Sequence, residues 1–482
     1  MEYQNIFKEL CKIPRASHHE EQVADFLCDF AERHNLRYRR DENNCVVIEK
    51  PASPGYEQHD SVVILNHMDM VCVADAGYNT PGPVTPVEYE QDGEQWMRAN
   101  HTSLGADNGI GLAMALAVLA DDSLEHPALE VLTTTCEEDD MSGAAGMAAD
   151  FIKGRNVLNL DSEAYKEITV GSAGAHIQLA HLPYSRIAMP QDYVAYSVEV
   201  NWGVGGHSGV DINSGRANAI KILANLLLVA IRQVNIKLYL VSFEGGQAYS
   251  AIPGEAEAKI VIPKENIEEF EILVSQCNDA VKAQFSETDP NVEVVCEPSV
   301  WHSNVINEEG THLLLACING IPVGPVEMRQ DVAVRENDSS SVLTSNNIGI
   351  VRQSKEKFTI STHTRSFSQE NMQDLSSNIS RIFTLTGAKV ETVMQVSPWQ
   401  EDLDNPFVQQ TMAVFERVLA FKPTPVSMHF ALEAGYLVDK FPEIHIASIG
   451  PKIIGAHSTD EHVSLTTADN IWKVVVELLR SL

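Results

Sequence analysis

Three apolar runs in the first third of the chain stop abruptly on residues able to bind a cation. Residues 62–65 run into Asn66-His67-Met68-Asp69, residues 129–136 into Glu137-Glu138-Asp139-Asp140, and residues 157–160 into Asp161. Helical stretches lie between them, one over 110–120 and one opened by Ser142-Gly143-Ala144-Ala145-Gly146. Strands that alternate with helices form a wound, mostly parallel sheet, and ligands bind at the carboxyl ends of such strands. The expected fold class is therefore α/β, a mixed, mostly parallel sheet flanked by helices. One ligand-type residue at a strand end is unremarkable; three in sequence are harder to assign to chance.

Each residue also has a bland reading. Imidazole is the commonest metal-ligating side chain, and a carboxylate can aim it, so His67 and Asp69 suit a metal site; an HxD alone is more often an ordinary polar pair at a turn. Asp107, in Ser103-Leu104-Gly105-Ala106-Asp107-Asn108-Gly109, suits an N-cap of the helix at 110–120. Its flanking glycines permit a close backbone approach that a cap does not require. Successive side chains at a strand end face opposite ways, so one of Glu137 and Glu138 could meet a metal and the other a water. The same acidic run is also what a solvated turn would carry. His457 and His462 each read as loop histidines.

At 482 residues the chain exceeds one ordinary core. After Pro183 to Pro190 the pattern restarts, with a strand over 193–200, the glycine loop Gly203-Val204-Gly205-Gly206-His207-Ser208-Gly209, and a helix over 217–231. No GKS or GKT follows, so a phosphate loop is a poor match. Residues 185–396 read as an inserted α+β domain whose halves, 193–262 and 349–393 with a helix near 370–386, each look like a small α+β unit. From residue 397 the chain returns to the first domain (1–184 plus 397–482). It carries a helix over 406–420, Glu433 in Met428-His429-Phe430-Ala431-Leu432-Glu433, a strand over 444–449, and a last helix over 468–479. The first 35 residues have helical spacing, and Ser17 before His18-His19-Glu20-Glu21 reads as a capping box for the second helix.

The net charge of −33 argues against nucleic-acid or anionic-membrane partners, which need clustered Lys and Arg. No apolar run reaches the ~20 residues of a membrane span, and Met1 to Asn5 do not open a signal peptide. Eight scattered cysteines without a CxxC pair fit reduced thiols and a cytoplasmic location.

In combination, Asn-His67-Met-Asp69-Met, Leu-Gly-Ala-Asp107-Asn-Gly-Ile-Gly, Gly-Gly-His207-Ser-Gly-Val-Asp and Gly-Ala-His457-Ser-Thr-Asp-Glu resemble the M20 family of co-catalytic metallopeptidases over essentially the whole chain. Within it the chain is similar to the aminoacyl-histidine dipeptidases. The resemblance implies two Zn2+ ions, one held by His67 and Asp161, the other by Glu138 and His457, with Asp107 bridging. It implies that Asp69 orients His67 and that Glu137 is the general base. It further implies that the insert is a lid, with His207 donating to the oxyanion and Arg365 gripping the substrate carboxylate. Glu433 could meet the substrate's amino terminus. Nitrogen and oxygen ligands alone also permit Mn2+ or Co2+. Where the family has a small residue after the paired glutamates, this chain has Asp139. The function so implied is a cytoplasmic di-zinc dipeptidase acting on small Xaa-His dipeptides. The runners-up are a broader dipeptidase, an N-acyl amino acid deacylase, or a non-catalytic metal-binding relative. A homodimer through the lid is expected from the same resemblance.

Overall fold

The computed structural model describes residues 2–330 and 338–482. They divide into two compact units. The first comprises Met1–Ser172, Trp399–Ser427 and Leu432–Leu482; the second comprises Ala173–Pro398 and Met428–Ala431.

The first unit is built on a mixed nine-stranded sheet. Its centre is parallel: Val62–His67 pairs with Leu129–Thr134 on one side and Asn156–Asn159 on the other, and His445–Ser448 continues beyond. Antiparallel strands close both edges, Val46–Lys50 and Arg37–Arg40 at one, Glu167–Ser172 and Trp399–Gln400 at the other. A strand covered on both faces reads as a continuous apolar run, and Val62–His67 is buried throughout. Its alternate residues go to different cores. Val62 and Ile64 join the cluster under the helices Glu2–Leu10, Ala106–Ala120, Pro406–Leu419 and Leu465–Ser481; Val63 and Leu65 join one with Phe151, Trp399, Leu437 and Phe441. The helix Ala106–Ala120 is buried nearly all round, which is why it is apolar on every face. Gly111 lies where it meets the sheet; a Cβ there would fall 2.3 Å from the Leu160 carbonyl oxygen.

The second unit is an antiparallel nine-stranded sheet whose helices Ala219–Arg232, Ile267–Gln284, Glu308–Gly320 and Gln369–Leu385 share one apolar cluster with it, an α+β layer structure. The two expected halves are not separate. Tyr239–Gly245 pairs with Val342–Gln353 through Gly245 and Val351, so one sheet runs through both. This unit begins earlier in the chain than the 184/185 boundary expected from sequence. Gly174–Pro183 pairs along its length with Lys357–Ser366 and Lys389–Val396, which ties it to the insert.

Two local expectations fail. The second helix starts at Glu21 without a side-chain cap, and Ser17 instead donates its hydroxyl to Asp69 Oδ2 at 2.8 Å. The strand at 129–136 ends at Thr134. Cys136 takes a left-handed φ of 56° and gives its N–H to Glu20, so the chain leaves the sheet before Glu137. Those two glutamates therefore stand in a turn, and strand alternation is not what separates them.

Candidate active site

At the carboxyl edge of the parallel strands, His67 closes its strand 2 % exposed. Its Nε2 lies 3.2 Å from Asp107 Oδ1 and 3.3 Å from Asp161 Oδ1. His457, which holds a left-handed φ of 62°, mirrors it: Nε2 lies 3.2 Å from Asp107 Oδ2 and 2.8 Å from Glu138 Oε2. Asp107 thus turns one oxygen to each histidine, and each histidine faces a second carboxylate of its own. The structure brings all five expected ligands together.

The backbone around Asp107 departs from ordinary helix. Gly105, at φ 69°, precedes it, and Asp107 and Asn108 are non-helical and joined by a cis peptide bond. Any Cβ at Gly105 would fall 2.5 Å from both the Arg15 guanidinium and Met70 Sδ. Asp107 is not the N-cap considered from sequence; its carboxylate points into the cluster. Asn108 Nδ2 donates to Asp161 Oδ1.

Three positions to which the sequence reading gave no part in the site hold this frame. The carboxylate of Glu461 accepts the N–H groups of Leu104, Gly105, Ala106 and Asp107. Arg15, 1 % exposed, donates to the carbonyls of Met68, Asp69 and Gly105. Ser17 reaches Asp69 as described. Asp69 Oδ1 in turn lies 3.3 Å from His67 Nδ1, and its two oxygens accept the N–H groups of Glu137 and Glu138 at 3.1 and 3.2 Å. Glu461 lies inside the His457 motif and was legible there; no local pattern in the sequence marks Arg15. Met68 is buried in the apolar cluster, away from the carboxylates.

The electrostatics of the cluster call for positive charge. Burial pushes the Asp107 carboxyl upward, but hydrogen bonds from His457 and His67 hold it well below the usual range. Hydrogen bonds to Asp107 and Glu138 push His457 up to about 11. Burial would lower His67, but Asp161, Asp107 and Asp69 raise it well above the ordinary value. Glu137 is raised well above a normal glutamate by burial, with His67 opposing and Asp161, Glu433 and Glu138 adding to it. Its carboxylate makes no hydrogen bond among the described residues. Divalent cations fit this donor set. His67, Asp107 and Glu138 each place a ligand atom within 4.8 Å of the others, and Glu138 Oε1 is buried without a partner among the described residues. Imidazole and carboxylate are donors that zinc accepts. Glu433 is also buried. Its Oε2 accepts the Thr134 hydroxyl at 2.6 Å, Oε1 has no partner among the described residues, and burial pushes its pKa up to about 8.

In the second unit His207 Nδ1 accepts the N–H groups of Gly209 and Val210. That fixes the ring proton on Nε2, and burial with Arg365 nearby lowers its pKa to about 4. Arg365, 3 % exposed, touches Ser208 Oγ and His363 Nδ1 through Nη2. Its Nε is buried without an acceptor, and no carboxylate pairs with it among the described residues. His429 is buried against Ser345 Oγ at 2.8 Å.

A sheet that gathers imidazoles and carboxylates at its parallel centre defines a class, the metal-dependent hydrolases. More narrowly, the chain belongs to the peptidase family M20/M25/M40, whose sequence profile matches residues 63–481; it is a hydrolase acting on peptide bonds, from a family of metal-dependent peptidases. It is 31% identical over 478 residues to the cytosol non-specific dipeptidase of Escherichia coli (strain K12), spanning 99% of this chain and 97% of that one. It is similar to the crystal structure of aminoacylhistidine dipeptidase from Vibrio alginolyticus, at TM-score 0.84 and 31% identity over 100% of this chain and 96% of the other. A tripeptidase from Staphylococcus aureus shares the fold at TM-score 0.60 and 14% identity, over 100% and 97% of the two chains.

Proposed function

We propose that this chain is a two-metal dipeptidase, zinc being the favoured ion, that cleaves Xaa-His dipeptides of the carnosine type. The observation that carries the reading is Asp107 turning its two carboxylate oxygens to two different histidines, each shared with a further carboxylate. In this reading His67 and Asp161 hold one ion, His457 and Glu138 the other, and Asp107 both. Divalent ions bound there supply Lewis acidity that eases deprotonation of water and polarises a peptide carbonyl.

The chain's own residues do the rest. Glu137, whose carboxylate makes no hydrogen bond among the described residues, takes the proton of the attacking water and returns it to the leaving amine. His207 is neutral with its proton on Nε2, so it donates to the developing oxyanion. Arg365 presents a buried Nε with no acceptor among the described residues and pairs with no carboxylate there, which suits the substrate's terminal carboxylate. Glu433, with one buried oxygen unmatched among the described residues, suits its ammonium terminus. The second unit is then the lid that carries His207 and Arg365, and a homodimer through it belongs to the same proposal. A cytoplasmic location accords with the name of the Escherichia coli relative. The description of that relative as non-specific favours a second reading, a broader dipeptidase.

Turnover of β-Ala-His, Gly-Gly and an N-acetyl amino acid by the metal-loaded protein tests this. We expect β-Ala-His to be cleaved fastest and the N-acetyl compound scarcely at all. Equal rates on the two dipeptides favour the broader reading, and preference for the N-acetyl compound overturns both. Glu137→Gln should lower kcat by about 10²–10⁴ with metal retained; an active variant removes Glu137 from the role.

A further inference from the structure

The turn that follows the strand Leu129–Thr134 gathers a second group of donors, outside the cluster described above. His18, Cys136 and Asp140 each place one ligand atom within 4.8 Å of the others. Cys136 Sγ lies 3.3 Å from His18 Nδ1 and 3.2 Å from Glu20 Oε1. The far side of the ring is already held, His18 Nε2 standing 2.7 Å from Asp139 Oδ2. A carboxylate on one imidazole nitrogen fixes the tautomer and leaves the other nitrogen's lone pair facing inward, here toward the sulfur of Cys136. Four ligands set tetrahedrally at zinc bond lengths stand about 3.3–3.8 Å apart, and the sulfur already stands at the short end of that spacing from His18 Nδ1.

We propose that His18, Cys136 and Asp140 form a separate binding site for a thiophilic divalent ion of the zinc class, with Asp139 orienting His18 and Glu20 closing the inner side. Sulfur with imidazole selects zinc, or cobalt in its place, over magnesium and calcium. Binding forms a sulfur–metal bond and releases the thiol proton to solvent. The site gives a use to Asp139, the residue that stands where the sequence departs from its family's pattern. His18 and Asp140 are exposed and Cys136 is buried, so the ion would sit at the surface with its sulfur ligand inside. Its position next to Glu137 and Glu138 means that a bound ion would brace the turn presenting them.

The ligand set proposed for catalysis contains no sulfur, which separates the two sites spectroscopically. Excess cobalt(II) added to the purified full-length protein should give a thiolate-to-cobalt charge-transfer band in the near ultraviolet. Cys136→Ser should abolish the band and bind one ion fewer per chain at zinc saturation. His18→Gln, an exposed substitution, serves if Cys136→Ser misfolds; it too should lose the band. Asp139→Asn should weaken zinc at this site by about 10–100-fold, the usual cost of losing an orienting carboxylate. Absence of the band in the wild-type protein, its persistence in folded Cys136→Ser, or, where that variant misfolds, its persistence in His18→Gln, overturns the proposal. The outcome does not depend on whether the chain cleaves dipeptides.

Discussion

Glu461 holds Asp107 by its backbone. The carboxylate of the one accepts the N–H of the other at 3.3 Å, after accepting those of Leu104, Gly105 and Ala106 at 2.7–2.8 Å. Glu461 is 2 % exposed and sits on the segment that carries His457. One carboxylate therefore sets the position of Asp107 relative to a histidine some 350 residues away in sequence. Glu461→Gln keeps the shape but leaves one acceptor oxygen for four donors. Buried donors left unmatched cost about 1–3 kcal/mol each. We expect thermal unfolding to move down by several degrees and metal affinity to fall with it. A variant with unchanged Tm and metal content would show that the helix start is held by something else.

Asp69 touches both halves of the cluster, facing His67 Nδ1 and accepting the N–H groups of Glu137 and Glu138. Asp69→Asn replaces one acceptor oxygen by a donor that opposes those N–H groups. Metal affinity should fall by about 10–100-fold, read by competition with a chromophoric chelator. Undiminished affinity would reduce Asp69 to a structural residue.

Arg365 is proposed to grip a carboxylate. Losing a charge-assisted pair costs about 1.5–3 kcal/mol, so Arg365→Lys, which cannot reproduce the fork, should lower kcat/KM on β-Ala-His by roughly 10–100-fold. The dipeptide amide lacks the carboxylate and should be cleaved poorly by both proteins, with little further loss in the variant. An equal fall on acid and amide would place the role of Arg365 elsewhere.

The second unit carries histidines that burial keeps neutral. His429 is lowered to about 3 by burial, with Arg365 and Arg329 adding, and His207 to about 4. His363 is lowered well below the ordinary value. Their folded pKa lies below the unfolded one, so as pH falls below about 6.5 the unfolded chain takes up protons that the folded chain refuses. Stability is full above that pH and falls by about 1.4 kcal/mol per pH unit for each such histidine. The loss continues down to the folded pKa. His429→Gln should make the fall of Tm between pH 6.5 and pH 4 shallower. An unchanged slope would show that other groups set the acid limit.

Much of this was legible in sequence for physical reasons. Val62–His67 is buried on both faces, so it shows as an unbroken apolar run ending on His67. His67, Glu138 and Asp161 follow such runs, and His457 lies in a compact motif. What sequence hid were residues acting through backbone. Arg15 serves carbonyls that no local pattern marks, and Ser17 looks like a helix cap but spends its hydroxyl on Asp69. The early end of the strand at Thr134 was hidden too, because the left-handed turn at Cys136 depends on Glu20 from a distant segment.

The central claim is that Asp107 serves two metal ions at once. Zinc content per chain after dialysis against a weak chelator, measured for the wild-type protein, Asp161→Ala and Asp107→Ala, tests it most directly. The account predicts that Asp161→Ala loses one ion and that Asp107→Ala, folded by circular dichroism, loses both ions of the cluster. An Asp107→Ala protein that keeps the wild-type content, or loses no more than Asp161→Ala, would contradict it.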